Sequence, residues 1–428
     1  MHTYNEQRDD SYNLELVYGN LTRRYMETKM ESEKVGKCRA CGASSLFPVF
    51  DFGKQVIANH FHPKNSPVCQ PLPLKLVRCE KCSLIQLDDK TDVDLMYRNY
   101  WYQSGINQSM KSHLHDLAVT VMEFVDVGPK DTIIDIGCND GTFLGFFLTA
   151  GRRVGIDPSN VKPTVPCEYI NDYFAYESAD RVLKGGKAKL ITSIAMFYDL
   201  NDPSSFVKDI RRVLTDDGLW VVEMSYLPIM LDNIAYDSVC HEHVVYYRME
   251  TFLETLKGTD FVPVHVEMNQ MNGGSFRVFL APNGRSDGST EALLKKEADE
   301  EYSGCVPYDR FADGIKRSSG NLVNFLEENK GKSIYGYGAS TKGQIIMQYC
   351  NVVPEQIRAI AERNPLKYGL YTPGTNVRIC PEEEMRLARP DFLLVFPWYF
   401  IDEFLVREKT IREQGTKIVV PLPKFEIV

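Results

Sequence analysis

Four cysteines in two Cys-x-x-Cys pairs form the clearest chemical pattern in the chain. The first pair is Cys38 and Cys41, and the second is Cys79 and Cys82. Thiolates at this spacing can face one ion, and two such pairs complete a tetrahedral Zn²⁺ site with Zn–S distances of ~2.3 Å. Because four thiolates leave no open position, the pattern predicts a structural zinc site. The spacer exceeds the ~15–20 residues of compact zinc ribbons and contains Cys69, so a Cys69 ligand and unrelated buried cysteines are the alternatives.

A glycine-rich turn follows the buried strand pattern over 132–136. It reads Gly-Cys-Asn-Asp-Gly over 137–141, and it matches neither the G-x-G-x-x-G order of a dinucleotide site nor a triphosphate loop. Glycines there let the backbone approach a ligand closely. Asp135, near the strand end, can hold a ligand's ammonium group, and Asp157, after the next strand, is placed for ribose hydroxyls. A tight turn without a ligand is the alternative.

The spacing of this turn resembles the D-x-G-x-x-x-G turn of class I methyltransferases, which bind S-adenosylmethionine. The stretch Asn171 to Tyr173 would follow the third strand, where those enzymes often place an adenine contact. The resemblance therefore implies S-adenosylmethionine as the cofactor, bound by Asp135, Gly137, Asn139, Gly141, Asp157 and Asp172.

Imidazole, carboxylate and phenol side chains cluster over residues 236–247. The central His241-Glu242-His243 is not the H-E-x-x-H zinc motif, and histidines two positions apart do not share a helix face. Histidine titrates near neutral pH, and a neighbouring carboxylate can fix its tautomer, so the segment favours acid–base chemistry. A metal held by both histidines on one strand face and a packed loop with satisfied polar groups are the alternatives.

A second glycine-rich turn, Gly336-Tyr-Gly338, follows another strand pattern. With Glu362 as the ribose-binding acid it would indicate NAD, but only two glycines match and Lys342 occupies the start of the next helix. A contact to phosphate or to a uridine or thymidine nucleotide and a structural remnant are the other interpretations. Trp398 fits a core position as well as a base-stacking one.

Alternating strand and helix patterns extend from residue 111 towards the C-terminus. A helix is predicted over 113–125 and another over 142–149, and the predicted strands cover 132–136, 153–156, 190–192 and 219–223. A second βαβ pattern opens at 333, with later strands over 357–361 and 391–396. Such alternation predicts parallel sheets with helices on both faces, which is an α/β fold.

Composition narrows the class of protein. A chain of 428 residues holds two or three domains at about 150 residues each. The formal net charge of −9 disfavours a general binder of nucleic acid, which usually carries a basic surface. The longest apolar stretch near the C-terminus, Leu393 to Ile401, is interrupted by Pro397 and is about half of the ~20 residues of a membrane span. The first residues lack the pattern of a secretory signal, so we expect a cytoplasmic protein without a membrane partner.

Five further motifs lie between residues 223 and 398. They are Glu223-Met-Ser-Tyr226-Leu227, Gly273-Gly274-Ser275-Phe276-Arg277, Tyr335-Gly-Tyr-Gly-Ala-Ser-Thr-Lys342-Gly343, Pro373-Gly374-Thr375 and Pro397-Trp398. With the cysteine pairs and the His-Glu-His block, they resemble the bacterial deoxysugar C-methyltransferases, which methylate C3 of nucleotide-linked 4-keto sugars. The resemblance covers residues 36 to 428.

This resemblance implies a class I methyltransferase doubly wound sheet, flanked by a small N-terminal zinc-binding lobe and a C-terminal Rossmann-like domain. The expected boundaries are an N-terminal extension over 1–35, the zinc-binding lobe over 36–110, the methyltransferase domain over 111–285 and the Rossmann-like domain over 286–428. The extension carries a weak helical pattern from Leu14 to Tyr25.

The resemblance also implies C-methylation of a nucleotide-linked keto sugar through an enolate. His243 is the expected base, Tyr246 and His241 are the expected oxyanion donors, and Glu242 is the expected orienter. Substrate contacts are expected from Tyr226, Asn272, Arg277 and Lys342. The family pattern often has a tyrosine where this chain has Cys240, and a histidine where it has Phe197 to Leu200. A sugar O- or N-methyltransferase and a non-catalytic cofactor-binding protein are the alternatives.

Overall fold

The computed structural model describes residues 31–66 and 69–428. The predicted helical pattern from Leu14 to Tyr25 lies outside the described residues. The N-terminal unit contains β1 (Glu33–Lys34), β2 (Leu46–Gln55), β3 (Leu72–Cys79), β4 (Ile85–Leu87), β5 (Asp89–Lys90) and α1 (Val93–Tyr97). Antiparallel strands β2, β3 and β4 form its sheet. Leu72, Leu74 and Leu76 of β3 are buried at alternate positions, as in a strand with one face on a core.

The central unit is a seven-stranded sheet with helices on both faces. Its elements are α2 (Gln108–Phe124), β6 (Thr132–Ile136), β7 (Arg152–Ile156), β8 (Glu168–Ile170), α3 (Tyr176–Leu183), β9 (Ala188–Ile194), α4 (Pro203–Val213), β10 (Leu214–Ser225), α5 (Leu227–Asp232), β11 (Val245–Tyr246), α6 (Met249–Thr255), β12 (Phe261–Asn269) and β13 (Ser275–Pro282). The strand order is β12-β13-β10-β9-β6-β7-β8. Strand β13 is antiparallel to both of its neighbours, and the other pairs are parallel.

The sequence pattern predicts the strands of this sheet better than it predicts one of its helices. All five residues of β6 are buried, as expected for a parallel strand covered on both faces. The helix predicted over 142–149 is only a 3₁₀ turn at Leu144–Phe146. Gly145 lies within it, and glycine is among the weakest helix formers.

The C-terminal unit is a second doubly wound sheet. It contains α7 (Ser289–Asp299), α8 (Val306–Glu328), β14 (Ile334–Tyr337), α9 (Thr341–Tyr349), β15 (Ile360–Glu362), β16 (Ile379–Pro381), α10 (Glu382–Ala388), β17 (Phe392–Val395), α11 (Ile401–Arg407), α12 (Lys409–Glu413), β18 (Lys417–Val420) and β19 (Glu426–Ile427). The order is β16-β15-β14-β17-β18-β19, and only β19 is antiparallel to its neighbour. The two sheets confirm the predicted α/β fold.

One strand links the units around a common cavity. Strand β11, from the His-Glu-His segment, pairs with β4 and so extends the N-terminal sheet. The cavity has a volume of about 610 Å³, and residues from all three units line it. Ligands of doubly wound sheets bind beyond the carboxyl ends of the strands, and β6, β9 and β14 all end at this cavity. Among the described helices, none is both long and apolar enough to cross a membrane.

Candidate active site

The two cysteine pairs meet in the N-terminal unit. Their four Sγ atoms all lie within 4.8 Å of one another, with Cys38 Sγ 3.5 Å from Cys82 Sγ and Cys41 Sγ 3.6 Å from Cys79 Sγ. Cys69 is not in this group, because its Sγ lies 3.4 Å from His60 Nδ1. Four converging thiols fit a tetrahedral Zn²⁺ site.

The predicted cofactor turn lies at one end of the cavity. Gly137 has a φ of +74°, which suits glycine. Asp157 fixes the turn, since its Oδ2 accepts a hydrogen bond from Asn139 N at 2.9 Å and its Oδ1 accepts one from Ser159 N at 2.8 Å. Each carboxylate oxygen can accept a further bond. Asp135, Gly137, Asn139 and Asp157 all line the cavity.

Asp135 is the most deeply buried carboxyl of this turn region. Its Oδ1 accepts a hydrogen bond of 2.7 Å from Thr192 Oγ1. Burial raises the pKa of Asp135 to about 7, and the Thr192 hydrogen bond partly opposes this rise. A cationic ligand nearby would favour the ionised carboxylate, which fits the ammonium contact expected here.

Two other predicted cofactor residues do not line the cavity. Gly141 has a φ of +77°, and a Cβ there would lie 2.9 Å from Val165 Cγ2, so packing requires this glycine. Asp172 forms an ion pair of 2.9 Å with Arg181 at the surface. The neighbouring Tyr173 and Phe174 line the cavity instead. The two aromatic residues directly after Asp172 are the feature of the sequence that could have indicated this part of the cavity.

His243 lies at the cavity in a defined orientation. Its Nδ1 is 2.9 Å from Ser238 O. Because a carbonyl oxygen only accepts, Nδ1 carries the proton and Nε2 keeps its lone pair. The Tyr198 ring packs edge-on against the imidazole, with 4.4 Å between centroids. Burial lowers the pKa of His243 to about 4, and the charge of Lys342 lowers it further by a smaller amount. His243 is therefore neutral at pH 7.

Two acidic side chains line the cavity near His243. Both carboxyl oxygens of Glu242 and Oδ1 of Asp199 are buried without a hydrogen-bond partner among the described residues. Burial raises the pKa of Glu242 to about 6. Burial and then the charge of Glu242 raise the pKa of Asp199 well above its usual range. Sequence reasoning did not select Asp199, although it lies in the segment 197–200 that departs from the family pattern.

His241 and Tyr246 do not line the cavity. His241 Nε2 lies 3.4 Å from Leu72 O, on the side of the N-terminal sheet, and Tyr246 belongs to β11. Glu242 was predicted to orient His243. In the structure, Ser238 O contacts His243 Nδ1 instead.

The four predicted substrate residues divide into two pairs. Lys342 and Asn272 line the cavity, and Lys342 Nζ donates to Asn272 O at 2.6 Å. Tyr226 is buried elsewhere, with its hydroxyl donating to Glu297 Oε1 at 2.8 Å. Arg277 Nη2 pairs with Glu223 Oε2 at 2.7 Å, so this guanidinium is neutralised within the sheet.

Three family models match consecutive parts of the chain. A zinc binding domain matches residues 38–97, a methyltransferase domain matches residues 107–266, and a C-methyltransferase C-terminal domain matches residues 270–423. Among curated proteins, the C-methyltransferase NovU of Streptomyces niveus is 27% identical over 407 residues. This match covers 92% of the chain and 97% of NovU.

Solved structures match a smaller part of the chain. The PH0226 protein of Pyrococcus horikoshii OT3 shares 17% identity over 42% of this chain and 94% of its own, with a TM-score of 0.33. Geranyl diphosphate C-methyltransferase of Streptomyces coelicolor A3(2) shares 12% identity over 41% of this chain and 86% of its own, with a TM-score of 0.31.

The methyltransferase model covers most of the seven-stranded sheet, which confirms the class I methyltransferase fold predicted for it. The zinc binding model includes all four clustered cysteines. The three matches, in this order along the chain, and the similarity to NovU support an S-adenosylmethionine-dependent methyltransferase of the C-methyltransferase family.

Proposed function

We propose that the protein methylates C3 of a nucleotide-linked 4-keto-deoxysugar. The observation that carries this proposal is the neutral His243, whose unprotonated Nε2 belongs to a ring at the cavity that the cofactor turn also lines. S-adenosylmethionine supplies an electrophilic methyl group. The substrate carbon must then become nucleophilic, and a ketone next to it makes its hydrogen acidic enough for a histidine base.

The hydrogen bond to Ser238 gives His243 its role. Because Nδ1–H is held by Ser238 O at 2.9 Å, the ring cannot rotate freely, and Nε2 is the atom that accepts the C3 proton. The resulting imidazolium is stabilised by the same carbonyl. Glu242 lines the cavity, and neither of its carboxyl oxygens has a hydrogen-bond partner in the described part of the chain, so it is suited to bind sugar hydroxyls.

Positive charge supports a nucleotide diphosphate as the carrier of the sugar. Lys342 and Lys367 line the cavity on the side of the C-terminal unit. Arg363 and Arg407 line it too, but they pair with Glu382 and Glu403. Lys342 lies at the start of α9, where the helix dipole also favours an anion. Lys342 Nζ is 4.8 Å from the centroid of the Tyr399 ring, which fixes its position.

The zinc site has a structural role in this proposal. Cys38, Cys41, Cys79 and Cys82 would take all four positions of a tetrahedral ion, which would leave none for water or substrate. We expect one tightly held Zn²⁺ per chain by elemental analysis. In Cys79→Ser, zinc content and melting temperature should both fall, and unchanged values would contradict a folding role.

The function is tested with purified protein, S-adenosylmethionine and a thymidine or guanosine diphosphate 4-keto-6-deoxysugar. Mass spectrometry and NMR should find a new methyl group on C3. In D₂O with S-adenosylhomocysteine, the C3 hydrogen should exchange for deuterium. A methyl group on oxygen or nitrogen without exchange would identify an O- or N-methyltransferase, and cofactor binding without turnover on any keto sugar would indicate a non-catalytic protein.

A further inference from the structure

We propose that Asp199, in its protonated form, donates a hydrogen bond to the substrate oxygen that becomes negatively charged during methyl transfer. This inference rests on the proposed function, because the oxygen is that of the 4-ketone. It assigns the oxyanion contact to a residue other than Tyr246 and His241, neither of which lines the cavity.

The backbone holds Asp199 at the carboxyl end of the central sheet. It is the last residue of a 3₁₀ turn, Phe197–Asp199, that follows β9, and its N–H donates to Met196 O at 3.0 Å. Asp199 lines the cavity, while its Oδ1 is buried and has no partner among the described residues. A buried carboxyl oxygen without a hydrogen-bond partner destabilises the protein, so this atom is suited to a ligand partner.

The surroundings of Asp199 favour its neutral form. Glu242 is the other acid of the same buried region, and two carboxyl groups that share a site do not both ionise readily. Burial and the Glu242 charge raise the pKa of Asp199 well above its usual range, and the nearby Tyr97 hydroxyl opposes this only in part. Tyr100 and Tyr198 also face the carboxyl and are themselves uncharged at pH 7. Burial also raises the pKa of Glu242, to about 6, and we place the proton of this pair on Asp199, whose pKa the charge of Glu242 raises further.

Asp199 is also connected to the base. The preceding residue, Tyr198, packs its ring on His243, and Glu242 directly precedes His243 in sequence. Base and acid therefore lie in contiguous segments that line one cavity. Ketosteroid isomerase provides the general precedent of an aspartic acid kept neutral by its site to serve as an oxyanion donor.

The electron flow balances with these groups. The C3–H bond breaks as its proton passes to His243 Nε2, and the bonding pair forms C3=C4 while the π pair of the ketone moves onto O4. The O–H of Asp199 holds O4 by a hydrogen bond. C3 then bonds to the methyl carbon of S-adenosylmethionine, the S–CH₃ pair remains on sulfur, and C4=O forms again. Asp199 keeps its proton throughout.

Deuterium exchange at C3 and calorimetric binding of S-adenosylhomocysteine test the assignment. In Asp199→Ala the exchange rate should fall by about 10²–10³, the usual loss on removing one oxyanion donor. Asp199→Asn should keep a larger share, because its amide still donates. Asp202→Asn is the matched control, since it removes a carboxylate three residues away, and asparagine also caps α4. It should exchange at the wild-type rate.

Three results would overturn the assignment. Asp199→Ala could exchange at the wild-type rate. Asp199→Asn could be as slow as Asp199→Ala with cofactor binding intact, which would mean that an ionised carboxylate is needed. Infrared spectra at pH 7 could lack a protonated-carboxyl band that disappears in Asp199→Asn. Because the infrared test needs no sugar, it judges Asp199 even if the wild type exchanges no keto sugar, a result that would instead refute the proposed function.

Discussion

The two doubly wound sheets carry glycine-rich turns that are fixed by the same kind of contact. In the central unit, Asn139 N donates to Asp157 Oδ2 at 2.9 Å. In the C-terminal unit, Ala339 N donates to Glu362 Oε2 at 2.8 Å. In both, an acid at or directly after the end of the second strand holds the backbone that follows the first strand. The two turns therefore share a backbone design.

Their electrostatic surroundings differ. Asp135, Asp140 and Asp157 lie in or beside the central turn, and all three are buried. Around the C-terminal turn, Lys342 and Lys367 are buried, and Lys367 Nζ donates to Ala339 O at 2.7 Å. An acidic turn suits the positively charged sulfonium, and a basic turn suits a diphosphate. The two turns therefore differ in their side chains rather than in their topology.

The largest loss of activity is expected from substitution of His243, which lies at the cavity where the proposed cofactor and sugar would meet. His243→Gln should reduce methyl transfer and C3 exchange by about 10²–10⁴, because no other imidazole nitrogen lines the described cavity. Cofactor binding, measured by calorimetry, should remain. His241→Gln is the comparison, and it should lose far less because His241 faces the N-terminal sheet. If His241→Gln is the slower variant, the base has been assigned to the wrong ring.

Asp157→Ala tests whether the acidic turn binds the cofactor. Loss of a charge-assisted hydrogen bond costs about 1.5–3 kcal/mol, so affinity for S-adenosylmethionine should fall about ten- to hundredfold. Affinity for a nucleoside diphosphate should not change. Asp172→Ala is the control, since this carboxylate pairs with Arg181 outside the cavity. Equal cofactor affinities for Asp157→Ala and wild type would move the cofactor away from this turn.

Lys342→Gln tests whether the basic turn binds a diphosphate. Calorimetry should show about a tenfold weaker affinity for a nucleoside diphosphate, with S-adenosylmethionine affinity unchanged. The wild-type affinity for the diphosphate should fall with added salt, and the variant should depend less on salt. A variant that loses affinity for both ligands equally would mean that Lys342 supports the whole cavity, and the contrast between the turns would not hold.

The smallest effect is on the pH dependence of exchange. The pKa of His243 is about 4, so the base is neutral through the neutral range and is lost only as pH falls through about 4. The charge of Lys342 is the lesser cause of this low pKa, after burial. Lys342→Gln should therefore raise the pKa and move the acid limb of the exchange rate to slightly higher pH. A shift to lower pH would exclude a charge interaction between the two residues.

Local patterns made part of this site predictable. The cysteine pairs and the turn over 137–141 act within a few residues, so their spacing alone indicates the geometry. Long-range pairing set the rest. The family resemblance led us to expect Arg277 at the substrate, but β10 and β13 place it opposite Glu223 in the sheet. The exposure of Asp199 to the cavity depends on where β11 packs, which no local pattern encodes.

The strand that joins the His-Glu-His segment to the N-terminal sheet has a consequence for recombination among relatives. Leu87 N donates to Val244 O at 2.9 Å, and Arg39, between the first two cysteines, donates to Asn201 Oδ1 at 3.3 Å, two residues after Asp199. A chimera that takes its cysteine-rich lobe from another member would fold that lobe around its own metal yet present a foreign edge to β11. We therefore expect a functional chimera only when residues 236–247 and the lobe are taken from the same protein.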